Sequence, residues 1–181
     1  MSRNKSNFSI PEKSINPKMN LFRKRKTKII IYSFIIILID QISKFLVFST
    51  LGFQRSKNII PNLLNFTLVK NKGAAFSLLS NSTILLTIIS VIASLLIITF
   101  ILKSTPKSFW DAIGLAYLLG GTVGNGIDRL LKGYVLDFIE LVPINFPIFN
   151  VADISINIAI ICFIISLISR NDQSRNILKD R

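Results

Sequence analysis

Apolar residues along the chain gather into four long runs, and the polar positions between them are few and clustered. Ile29 to Phe48 is apolar except for a polar patch at Asp40–Lys44. Ser82 to Leu102 carries no charge and is rich in Ile and Leu. At ~1.5 Å of rise per residue, this run reaches the ~30 Å thickness of a bilayer's hydrocarbon core. Phe109 to Leu131 is a weaker run, with Asp111 near its start and Asp128-Arg129 near its end. Glycines punctuate it, and Gly120-x-x-x-Gly124 lets a second helix approach closely. Val151 to Ile168 is the fourth run, opening on Asp153. Only 49–81 breaks the helical pattern at length. There Asn65-Phe66-Thr67-Leu68-Val69 alternates and favours a strand, Asn71-Lys72-Gly73 reads as a turn, and Ala74-Ala75-Phe76-Ser77 continues a hairpin.

This pattern predicts an all-α membrane protein of four transmembrane helices, with a small extracytoplasmic β-structure between helices 1 and 2. It divides into a disordered basic tail at 1–28, a four-span domain at 29–169 and a C-terminal tail at 170–181. The start of the first run resembles the apolar region of a cleaved signal peptide. No Ala-x-Ala-like site follows, however, and Phe45-Leu46-Val47-Phe48 resume the apolar run, so a retained helix is expected. A soluble glycine-rich turn is the competing reading of the third run, and the flanking spans argue against it.

Charge orients these spans. The net charge is +13, from 22 Lys and Arg against nine acids. The N-terminal 28 residues hold a dense basic cluster, and Arg170, Arg175, Lys179 and Arg181 follow the last run. Basic clusters flanking apolar spans follow the positive-inside rule, which places both termini in the cytoplasm. Lys103 to Lys107 is then cytoplasmic, and 49–81 and 130–150 lie outside. The same distribution argues against a nucleic-acid binder. Histidine is absent, which excludes histidine acid–base chemistry and histidine metal sites. The lone Cys162 sits in an apolar run and reads as a small apolar residue.

The acids are the candidate chemistry. Glu12, Asp172 and Asp180 lie in the tails, and Asp111 starts a helix on the cytoplasmic side. Asp40, Asp128, Asp137, Glu140 and Asp153 all fall in the outer half of the membrane or at its outer surface. A charge at membrane depth costs about 2.5–3.5 kcal/mol, so such groups have partners or a task. Asp40 and Lys44 are spaced to pair on one helix face. Asn125, Asp128 and Arg129 share another, with Arg129 placed to hold Asp128 ionised. These groups read as scaffold. Asp137 and Asp153 have no basic neighbour at helical spacing. Two carboxylates in a water-poor site share a proton, and such a pair suits peptide hydrolysis. Position alone leaves this balanced against an ordinary loop residue (Asp137) and a helix N-cap (Asp153). A proton-coupled transporter using the same aspartates, or a non-enzymatic scaffold, is also open at this point.

Four blocks then give the chain a family resemblance. They are Asp40-Gln41-x-x-Lys44; Asn71-Lys72-Gly73-Ala74-Ala75-Phe76-Ser77; Gly120-Gly121-x-x-Gly124-Asn125-x-x-Asp128-Arg129, continuing through Gly133-Tyr134-Val135-Leu136-Asp137-Phe138; and Phe149-Asn150-Val151-Ala152-Asp153. In this order they resemble the lipoprotein signal peptidases (signal peptidase II) of bacteria. The resemblance implies an aspartic endopeptidase of the cell membrane, with Asp137 and Asp153 as the catalytic pair. It implies a prolipoprotein substrate bearing diacylglycerol on its cysteine, cut just before that cysteine. It implies no metal or organic cofactor, with membrane lipid and substrate as partners and a monomeric enzyme. Asn71, Gly73, Asn125, Arg129 and Asn150 are expected to bind substrate or orient the aspartates, and Asp40, Lys44 and Asp128 to hold the scaffold.

Overall fold

The computed structural model describes residues 17–73, 82–106, 108–144 and 146–179, with side chains described from 23 to 171 within those ranges. Four long helices carry a three-stranded sheet. The elements are α1 (Pro17–Leu51), β1 (Ser56–Ile60), β2 (Leu64–Asn71), α2 (Thr83–Lys103), α3 (Phe109–Lys132), β3 (Val135–Leu141) and α4 (Val151–Lys179).

Among the described residues, three helical segments are long and apolar enough to cross a membrane: Arg23–Leu51, Thr83–Lys103 and Val151–Asn171. These correspond to the first, second and fourth apolar runs. α3 is different because it is the packing centre. It contacts α1, α2 and α4, and its glycines, Asn125 and Asp128 are what make it less apolar. Small residues set those contacts. A Cβ on Gly120 would stand 2.6 Å from Ile36 of α1, and one on Gly121 would stand 2.5 Å from the Ala152 carbonyl of α4. Both neighbours can sit this close only because α3 presents no side chain there.

The ends of α3 are set locally. Ser108 caps its start reciprocally with Asp111, and Gly133 ends it at φ 77°, a left-handed turn that glycine adopts without strain. Asp111 also pairs with Arg170 and accepts from Ser166, tying α3 to α4 at this end. Ile29, Ile101, Leu115, Ala116 and Leu119 form a buried cluster where α1, α2 and α3 meet. A second cluster, Val47, Leu68, Leu136 and Phe138, seats the sheet on the C-terminal end of α1.

The sheet differs from the expectation in two ways. Its order is β1-β2-β3, all antiparallel, so it is not built from 49–81 alone. β3 comes from the link between α3 and α4, where Val135, Leu136, Asp137 and Phe138 are all buried. Buried backbone needs hydrogen-bond partners, and the open edge of β2 supplies them. The hairpin also lies elsewhere. β1 and β2 turn through Pro61–Leu63, with Asn62 at φ 59°, rather than at Asn71-Lys72-Gly73. β2 is the middle strand with both edges occupied, and Ala74–Ser77 fall outside the described residues.

The helices also outrun their apolar stretches. α1 begins at Pro17, inside the tail expected to be disordered, and α4 continues to Lys179. Lys and Arg are good helix formers, so the backbone ladder need not stop where apolarity does.

Candidate active site

Asp137 and Asp153 arrive from different elements and meet through one residue. Asp137 is fully buried on β3. Asp153 lies in the first turn of α4. Asn150 touches both. Its side-chain Nδ2 donates to Asp137 Oδ1 at 2.6 Å, and its backbone N–H donates to Asp153 Oδ2 at 3.1 Å. The Asp153 N–H donates back to Asn150 Oδ1 at 3.0 Å. This is a reciprocal cap at the start of α4, with Asn150 as the N-cap. Asp153 is therefore not the N-cap that its position suggested. It completes the cap from three residues further on, so helix-end duty and a place beside Asp137 coincide in one side chain.

Two more asparagines complete the frame. Asn71, at the end of β2, donates Nδ2 to Asp137 Oδ2 at 2.8 Å. Its own Oδ1 accepts the Gly73 N–H at 2.9 Å, and this turn aims its amide at the carboxylate. Asn125 of α3 donates Nδ2 to Asp153 Oδ1 at 2.8 Å, and its Oδ1 accepts Asn150 Nδ2 at 3.0 Å. Each carboxylate thus receives two N–H donors. Burial, and next the negative charge of Asp153, push the Asp137 carboxyl up to about 6; the Asn71 and Asn150 donors and the Lys44 charge oppose that rise. The carboxyl therefore keeps its proton to a higher pH than an ordinary aspartate does.

Behind the asparagines is a buried ion cluster. Lys44 Nζ lies 2.8 Å from Asp40 Oδ2 and 2.9 Å from Asp128 Oδ2. Asp40 Oδ1 accepts the Ala152 N–H at 2.9 Å, locking α1 to the start of α4. Asp128 Oδ1 pairs with Lys132 at 2.8 Å, and its Oδ2 takes the Leu136 N–H of β3 at 3.3 Å. Asp40 and Lys44 pair as their spacing implied. Asp128 does not take Arg129 as its ion-pair partner. Adjacent residues on a helix point about 100° apart, whereas Lys132, four further on, shares the face of Asp128. Arg129 instead donates Nη2 to the Gly73 carbonyl at 3.4 Å, within electrostatic reach of Asp153 and Asp137.

All ten residues singled out from the sequence therefore converge on one end of the helices. Glu140 does not join them; it accepts the Thr67 hydroxyl on the sheet. Two contributors had no assigned role. Gln41 donates to Asp40 Oδ2 and to the Gly124 carbonyl, both at 3.1 Å. Lys132 braces Asp128, and its spacing of four from that residue was the available signal.

Comparisons with known proteins point the same way. A family model described as signal peptidase (SPase) II matches residues 32–169. A lipoprotein signal peptidase of Parasynechococcus marenigrum is 44% identical over 142 residues, covering 78% of this chain and 89% of that protein. One from Enterococcus faecalis is 42% identical over 130 residues, covering 72% and 81%. A bacterial membrane enzyme solved in meso at 2.3 Å resolution superposes with a TM-score of 0.75 at 32% identity, covering 81% of this chain and 91% of that one. The matched stretch contains every residue of the asparagine frame and the ion cluster, and the chain belongs to the signal peptidase II family.

Proposed function

We propose that this chain is an aspartic endopeptidase of the bacterial cell membrane that removes signal peptides from diacylglyceryl-modified prolipoproteins, cutting just before the lipidated cysteine. The observation that carries the reading is the junction at Asn150. A buried carboxylate (Asp137) and a half-buried one (Asp153) from separate elements share it, and each is left with N–H donors but no salt-bridge partner among the described residues.

In this reading the pair shares one proton. The ionised member takes a proton from water as the water oxygen attacks the scissile carbonyl. The protonated member donates to the carbonyl oxygen as it becomes tetrahedral. Collapse breaks the C–N bond, and the amine leaves with a proton from the pair. Asn71, Asn125 and Asn150 hold both carboxylates in place, and Arg129 and the Gly73 backbone flank the path of the substrate chain. The pair titrates as a unit, so neither aspartate is assigned the proton in advance.

Four spans suit this activity, with α3 as the fourth: it needs no apolar surface of its own where α1, α2 and α4 surround it. The basic termini are then cytoplasmic, and the site opens outward, where a lipid-bearing cysteine lies at the bilayer surface. The enzyme acts as a monomer. A proton-coupled transporter finds no support in the family or in the relatives, and α2 carries no ionisable residue before its terminal Lys103.

The test is cleavage of a diacylglyceryl precursor by purified protein. Wild type cuts it; Asp137→Asn and Asp153→Asn, folded and membrane-inserted, do not. Normal cleavage by either variant would end the two-aspartate reading.

A further inference from the structure

We infer that Lys44 is a positioning residue for Asp153, acting through the amide orientation of Asn125. This inference rests on the proposed role of the aspartate pair and adds a residue that touches neither aspartate.

An asparagine side chain can present either its oxygen or its NH2 to a neighbour, and the two choices have opposite effects on an adjacent carboxylate. Asn125 must aim Nδ2 at Asp153, as it does at 2.8 Å. What fixes that choice lies on its other side. Lys44 Nζ approaches Asn125 Oδ1 at 3.0 Å. An ammonium has three donors and no acceptor, so only an oxygen can face it. The other two donors are taken by Asp40 and Asp128 at 2.8 and 2.9 Å, and Lys44 is 1% exposed. It therefore has no alternative partner and no room to swing away. Asn150 Nδ2 supports the same orientation, but it must also serve Asp137. The two carboxylates that hold Lys44 also bind backbone beside the site: Asp40 the Ala152 N–H, and Asp128 the Leu136 N–H. The cluster thus fixes both the carriers of the aspartates and the direction of a hydrogen bond to one of them.

The test separates this from a purely structural ion cluster. Lys44→Gln and Lys44→Met are nearly isosteric, and both lack the charge. Both lose thermal stability to a similar extent. Only glutamine can still place an N–H on Asn125 Oδ1. Positioning predicts that kcat on a diacylglyceryl precursor falls about 10–100-fold in Lys44→Met, the worth of one hydrogen bond to a charged group, with little change in KM. Lys44→Gln recovers most of that loss. Equal kcat in the two variants, while Asp137→Asn and Asp153→Asn are inactive, overturns the positioning role alone. Activity in those aspartate variants overturns the underlying reading and this inference with it. If neither Lys44 variant folds, Asn125→Asp decides. It keeps an oxygen for Lys44, so the protein still folds, but it turns an oxygen toward Asp153 and loses some thermal stability to the facing carboxylates. Loss of kcat in the folded, membrane-inserted variant supports the relay, and normal kcat refutes it.

Discussion

Asp137→Asn should abolish the protein's activity, and its effect on stability should depend on pH. The folded protein holds this carboxyl at about 6, against 3.8 for an ordinary aspartate. A raised carboxyl means the folded state binds the proton more tightly than the unfolded chain. Stability is then full below the unfolded value and is lost as pH rises through the folded one. At ~1.36 kcal/mol for each tenfold change in proton affinity, holding the carboxyl at about 6 instead of 3.8 makes the ionised site cost about 3 kcal/mol near neutrality. Asparagine matches the protonated acid in size and cannot ionise, but its NH2 must face one of the two N–H donors that Asp137 accepts, so one hydrogen bond is lost at every pH. At about pH 4 the variant should therefore be the less stable by about 1 kcal/mol, and between about pH 4 and pH 8 its stability relative to wild type should rise by up to about 3 kcal/mol. Thermal unfolding in detergent, followed by the fluorescence of the single tryptophan, Trp110, measures this directly. The same preparation is assayed for precursor cleavage. A variant displaced from wild type by the same amount at both pH values would refute the account of a carboxylate strained by burial and by Asp153.

Three further substitutions test the frame around the pair. Gly124→Ala places a Cβ 2.7 Å from Asp40 Oδ2, against a side chain held by Lys44 and the Ala152 N–H, so overpacking should cost about 1–3 kcal/mol in thermal unfolding and lower kcat as well. Gly133→Ala meets open space and suffers only from its positive φ, so it should cost about 1 kcal/mol and leave kcat intact. Asn150→Ala removes the cap of α4, worth about 1 kcal/mol, yet should reduce kcat far more than that figure implies because the Asp137 contact goes with it; a kcat loss no larger than in a cap variant elsewhere, such as Ser108→Ala, would contradict this.

Much of the molecule was legible along the chain because a bilayer simplifies the code. Long apolar runs must be helical, since hydrocarbon offers the backbone no partners, and α1, α2 and α4 follow from that alone. Pairing at fixed helical spacing was equally local, and Asp40 with Lys44 came directly from it. The glycines of α3 announced close packing, though not which helices would fill the space. Non-local hydrogen bonding was hidden. β3 reads as an apolar stretch between two helices until β2 offers it an edge, and only that pairing brings Asp137 beside Asn71. Along the chain Asp128 reads as the partner of Arg129, whereas the folded protein pairs it with Lys132 and with Lys44, from a helix more than eighty residues earlier. Asp153 read as a cap or a catalyst, and the fold made it part of a cap while placing it against Asn125 and the residue that holds Asp137. Which side chains are costly to bury can be read along the chain, because burial in a membrane penalises charge wherever it occurs. The tertiary structure decided how that cost is met, because the partners that offset it come from strands and helices distant along the chain.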